Sequence, residues 1–231
     1  MSLAGCVSPS PLVSLHPLDP GAVWIAGREV VQKRQDDVRV AAALEQQDGE
    51  NLAIRVEVEN QRDEQIEINP STVTFVTCKD RELSSCARAR RVINPEQRLA
   101  QLDEQQSRNT AAEASDAAFY GPLLLLSVVG DVGAIASGKG SPTMGYQTSE
   151  IADHMDASAI RHGTASQSIA SQRQLWSNVA LRRNTVFPGK GTGGLVYLPI
   201  DTNARFVWIF VRPVGGKAIP FCFEQTVKEV Y

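Results

Sequence analysis

The sequence predicts a mainly β protein, an antiparallel sandwich interrupted by a large helical insertion. Three observations carry this. Short runs alternate apolar and polar residues with a period of two, turn-forming residues separate them, and the alternation lapses between about residues 91 and 178.

The first clear strand covers residues 38–44, with Val38, Val40, Ala42 and Leu44 on one face. The second covers 52–59. There Leu52, Ile54, Val56 and Val58 point one way and Arg55, Glu57 and Glu59 the other, the period of a strand with one wet face. Between them Gln47, Asp48, Gly49, Glu50 and Asn51 supply turn chemistry, so the two runs form a hairpin. A polar turn at 60–64, a short strand at 65–68, a break at Asn69-Pro70 and a strand at 72–78 follow.

A helix start stands at Asn94-Pro95-Glu96: a capping side chain, a proline in the first turn and an acid at the positive end of the dipole. The helix is expected to reach about Ala118, with Gly121-Pro122 separating it from the apolar stretch 119–136. That stretch includes Gly121, Pro122, Ser127, Gly130 and Asp131, and one charge at mid-helix is costly in lipid, so it reads as packed inside the protein or against a partner. Phe119, Leu123, Leu124 and Leu126 are the candidate partner contacts. Thr148 or Ser149 caps a second helix running to about Asn178, with Ile151, Met155, Ile169, Leu175 and Trp176 as candidate buried positions.

Strands return at 180–186, 193–198, 205–212 and 217–225, all rich in β-branched or aromatic residues. Trp208, in an alternating strand, is a candidate core residue, while Trp24 and Trp176 read as core in the first place and as contact in the second. The total of about seven or eight strands suits a sandwich. A strand, a Pro-Gly step and a short Val-Tyr-Leu-Pro strand resemble the small immunoglobulin-like domains of bacterial envelope proteins. That likeness implies an immunoglobulin-like sandwich and no particular activity. The expected organisation is a tether at 1–20, a sandwich formed by 21–90 and 179–231, and a helical insertion at 91–178.

Apolar residues make up 42% of the chain and charged residues 21%, an ordinary globular composition. The net charge of -3 comes without a long basic run, so no nucleic-acid partner is expected. The four cysteines, Cys6, Cys78, Cys86 and Cys222, match neither zinc nor redox spacing. Cys78 and Cys86 bracket a short polar stretch and could close a local disulfide in an oxidising compartment, or remain a reduced pair on neighbouring strands. Cys222, between Phe221 and Phe223, reads as a buried free thiol or a competing partner for Cys86.

Leu3-Ala4-Gly5-Cys6, followed by a Ser- and Pro-rich segment to Pro20, resembles the lipobox and tether of bacterial lipoproteins. The resemblance implies acylation at Cys6 and anchoring to a membrane. Val7, where an acidic residue would favour retention at the inner membrane, implies the outer membrane facing the periplasm.

Two glycine-rich stretches imitate phosphate loops. Residues 133–141 nearly fit G-x-x-x-x-G-K-[ST], but Gly140 takes the hydroxyl's place and the period-2 hairpins contradict the parallel sheet such a loop needs. Residues 188–194 read as a mobile loop between strands. Asp153, His154 and Asp156 are too close along a helix to share a metal, and no G-x-S-x-G elbow occurs. No cofactor and no catalytic residue is expected. The leading expectation is a non-enzymatic envelope lipoprotein whose insertion meets a protein partner or its own copy; the alternatives are a module binding a lipid, glycan or peptide, and an envelope hydrolase.

Overall fold

The computed structural model describes residues 11–136 and 144–228, with 119–136 and 144–156 described by their backbone alone. The chain forms two compact units: a β unit drawn from both sides of the middle, and a helical unit over residues 97–177.

The β unit contains β1 (Leu12–Pro17), β2 (Val23–Ile25), β3 (Arg28–Gln35), β4 (Val38–Asp48), β5 (Asn51–Asn60), β6 (Ile66–Ile68), β7 (Thr74–Cys78), β8 (Arg90–Arg91), β9 (Asn184–Val186), β10 (Gly191–Pro199), β11 (Phe206–Val211) and β12 (Ile219–Lys228). They make one sheet in the order β1-β12-β11-β7-β8, a second in the order β10-β5-β4-β3-β2, and a small pair β6-β9, all antiparallel. The inner faces of the two large sheets feed one core. Val40, Ile54, Val56, Val196 and Leu198 from one sheet join Val13, Phe75, Ile209, Phe221 and Phe223 from the other. The architecture is therefore mainly β and compatible with a β-sandwich.

The β4–β5 hairpin follows the predicted alternation. Leu52, Ile54, Val56 and Val58 are fully buried, Asp48 pairs with Asn51, and Gly49 takes the positive φ of 56°. A register shift between Leu44 and Gln46 places Glu45 at a bulge. Asn69 caps a single 3₁₀ turn, Pro70–Thr72, by accepting from the Ser71 amide.

Five expectations are corrected. Residues 12–17 belong to the sheet and not to a tether: β1 pairs with β12 from Leu12↔Lys228 to Pro17↔Phe223, with Val13 and Leu15 turned into the core. β2, β3 and β8 were not expected either. β3 hides its pattern because its polar face carries Arg28, Gln32 and Arg34 while only Val31 is fully buried, and its partner β2 is exposed throughout. The first helix, α1 (Pro95–Ala136), runs through Gly121-Pro122: the ring fixes φ at a helical value, and the helix continues past the lost hydrogen bond and the crowding of the preceding turn. The second, α2 (Met144–Asn178), begins before Thr148. Lastly, Gly191, Gly193 and Gly194 form the start of β10 instead of a mobile loop. The turn before them is confined to residues 188–190, where Gly189 has φ 68°. The strand needs its glycines: a Cβ on Gly194 would lie 2.5 Å from the Leu181 amide nitrogen.

Candidate functional site

Three surfaces bring chemistry-bearing side chains together. The first is the seam between the helices of the helical unit. From α1, Arg98 donates to Gln172 of α2 at 3.0 Å, and the Asp103 carboxylate lies 3.3 Å from Arg173. Gln106 and Asn109 donate to the Ser166 hydroxyl at 3.2 and 2.8 Å. Asp116 accepts from the Ser158 hydroxyl. The helices thus run antiparallel, with contacts from 98 opposite 172 to 116 opposite 158.

His162 sits at the centre of this seam. Its Nδ1 is 2.8 Å from Asn109 Oδ1 and its Nε2 is 3.2 Å from Asp116 Oδ2. The Asn109 amide is oriented by its own NH₂, which donates to the His162 carbonyl at 3.0 Å. Both ring nitrogens therefore lie beside side-chain oxygens of α1. The Ser158 hydroxyl, then His162, hold Asp116 below the usual carboxylate range. Between 97 and 177, the buried described residues are Leu102, Ser158 and Trp176. Ile169 and Leu175 are half-buried, while Ile151 and Met155 lie outside the residues whose side chains are described.

The second surface is the outer face of the β10-β5-β4-β3-β2 sheet. Ala41, Gly191 and Gly193 leave its floor low, and the walls carry Arg39, Arg55, Glu57 and Glu59 around a concavity of about 460 Å³. A neighbouring concavity of about 340 Å³ shares Gln32, Ala41, Arg55 and Glu57 with it and extends to Ile25 and Val30. At its floor Glu45 is held by Arg28 at 2.6 Å and Arg55 at 2.8 Å. The Arg55 hydrogen bond, reinforced by both guanidinium charges, keeps Glu45 low despite its burial.

The third is the outer face of the other large sheet. Val76, Cys78 and Phe206 form a small cluster there with Leu18, Cys86, Trp208 and Phe210 packed against it. Trp208 thus belongs to this satellite cluster and not to the main core; its indole N–H is buried with no partner among the described residues. Cys78 and Cys86 stand at disulfide distance, with Cα atoms 4.1 Å apart. Cys222 is a buried free thiol. It pairs with Trp208, two strands from Val76 of β7, which separates it from Cys86 by about 10 Å or more of sheet. Burial, then the nearby Asp19 carboxylate, push its thiol pKa up.

Trp24 is 70% exposed on β2, between the exposed Val23 and Ile25. Cys6 and the contact candidates Phe119, Leu123, Leu124 and Leu126 lie outside the residues whose side chains are described, as do His154 and the whole 133–141 stretch. Among the described residues no three His, Cys, Asp or Glu side chains are placed to share a metal, and no helix is long and apolar enough to cross a membrane. The seam escaped sequence reasoning because its residues are polar. Its signal was spacing alone: Ser158, His162, Ser166, Ile169, Gln172 and Trp176 recur at helical intervals.

No protein-family model matches the chain, and neither do curated proteins or solved structures.

Proposed function

We propose that this chain is a non-enzymatic, lipid-anchored module of the bacterial envelope that meets a protein partner, or a second copy, through its helical unit. The observation that carries the reading is the polar seam. A hairpin held by Ser, Asn, Gln and His contacts buries little apolar surface of its own. Yet the same α1 continues through the most apolar run of the sequence, Leu123 to Leu126 included. Four consecutive helical positions cover every direction around the axis, whereas one neighbouring helix covers a single stripe. In this reading a partner supplies the surface that such a run calls for.

The anchor in this reading is Cys6, placed in the outer membrane by Val7, and the β unit is an immunoglobulin-like sandwich. The Cys78–Cys86 bridge supports an oxidising compartment such as the periplasm. The test is a photoreactive amino acid at Leu124 in the full precursor, expressed in a bacterial envelope. A discrete adduct, abolished by Leu123→Asp, is expected. Absence of any adduct from positions 119, 123, 124 and 126, together with a monomeric mass by light scattering, would sink the reading. Labelled palmitate, taken up by the wild type and not by Cys6→Ser, tests the anchor separately.

A second reading, a module for a lipid, glycan or peptide, is supported by the concavity between Arg39, Arg55 and Glu57. It predicts a retained ligand mass in native mass spectrometry that Ala41→Trp removes.

A further inference from the structure

We infer that the exposed edge strand β8 is a docking site for an acidic, extended peptide segment, which adds to the sheet as a further strand. β8 is the last strand of its sheet. It is joined to β7 by the pairs Thr74↔Arg91 and Phe75↔Arg90, and residues 87–91 are all exposed. Val92 donates to the Val73 carbonyl, so in this antiparallel register the main-chain N–H and C=O of Arg91 point away from β7; two residues on, the Ile93 amide on that same side meets the Tyr197 carbonyl of β10, so the open main-chain edge ends at Arg91.

The side chains select the chemistry. Arg88, Arg90 and Arg91 crowd into four positions, and none has a carboxylate partner among the described residues. Elsewhere in the β unit, Arg28, Arg39, Arg55, Arg182, Arg183 and Arg205 each sit against an acid. Arg90 is further ordered, its guanidinium lying 4.7 Å from the ring centre of the buried Phe75. An open main-chain edge flanked by unpaired arginines on a chain of net charge -3 is complementary to an acidic strand. A lipid headgroup or a phosphate would use the arginines and leave the main-chain edge idle. The surface is distinct from the helical contact proposed above, so either can fail without the other.

The experiment uses the full chain and a fluorescein-labelled heptapeptide alternating glutamate with valine, followed by anisotropy. Saturable binding that weakens with salt is expected. Arg88→Glu/Arg91→Glu lowers the affinity by about tenfold or more, Arg88→Lys/Arg91→Lys retains most of it, and Arg34→Gln leaves it unchanged. The same peptide N-methylated at alternate residues, with its charge intact, should bind at least about tenfold more weakly, because it cannot complete the ladder. Unaltered binding of either the reversed variant or the methylated peptide overturns the proposal. So does association with phosphatidylserine-containing vesicles by a chain that ignores the peptide. Should the reversed variant melt early, Arg91→Gln alone, expected to weaken binding severalfold, carries the test.

Discussion

Lys33 and Asp19 form a partly buried ion pair that joins β3, the β1–β2 connection and β12. The ammonium lies 2.8 Å from Asp19 Oδ1, donates to the Pro220 carbonyl at 2.5 Å and stands 5.4 Å from the Phe221 ring centre. The other Asp19 oxygen accepts the Cys222 amide at 2.9 Å. Asp19→Ala strips the acceptor from two donors at once and should cost about 2–3 kcal/mol in urea denaturation, whereas Asp19→Asn, which keeps an acceptor, should cost less. Equal losses in the two variants would show that the negative charge, which both remove, carries the whole effect.

Two glycines should respond in opposite senses to alanine. At Gly194 a Cβ meets the Leu181 nitrogen at 2.5 Å and its Cα at 2.6 Å, so backbone must move. A loss of about 2 kcal/mol or more, or failure to fold, is expected on the scale of overpacked cores. Gly163, inside α2, has nothing within 4 Å. Gly163→Ala should raise the stability of the helical unit by up to about 1 kcal/mol. Thermal melts followed by circular dichroism read both.

Glu45 makes stability depend on acid. Its carboxyl is held low in the folded chain, chiefly by the Arg55 hydrogen bond, so it takes up its proton more readily when unfolded. Its contribution is complete above the unfolded value, about pH 4.3, and is lost as pH falls through the lower folded one. Unfolding free energy measured from pH 6 to 3 should fall less steeply in Glu45→Gln. An unchanged slope would assign the acid sensitivity to Glu59 and Asp116, which are also held low.

Reduction should loosen the β7 end of its sheet. The bridge closes a short loop, Cys86 following Cys78 by 8 positions. Loop-closure entropy gives about 2–3 kcal/mol for a ring of this size. Cys78→Ser/Cys86→Ser should lose that much in denaturant, and dithiothreitol should then have no further effect. Cys222 should resist alkylation until the chain unfolds, because it is fully buried.

The legible parts of the fold were those where one residue type recurs with one period. β4 and β5 were legible because Val40, Ile54 and Val56 face the core and Arg39, Arg55 and Glu57 the solvent without a break. β1 was hidden by Pro11 and Pro17, which give the segment the composition of a linker although Val13 and Leu15 are buried. In β10, Gly193 and Gly194 look like loop residues because the constraint on them is the neighbouring backbone of residues 180–181, remote in sequence. The cysteine pairing was open for the same reason: strand order, which the local pattern does not encode, moves Cys222 away from Cys86. The seam around His162 and the arginine edge share this property, since each is defined by which partners are near or missing in space.

The pairing of β1 with β12 sets a timetable for the chain. Leu12 finds its neighbour at Lys228, and β5 finds β10 only across the whole helical unit. During synthesis, β1 and β5 must each wait for partners that emerge late, while the local β4–β5 hairpin and the two helices form at once. An interval therefore exists in which apolar strand faces are exposed and their partners absent. For such a topology, assistance by a chaperone that shields unpaired strands should govern yield more strongly than the final stability does.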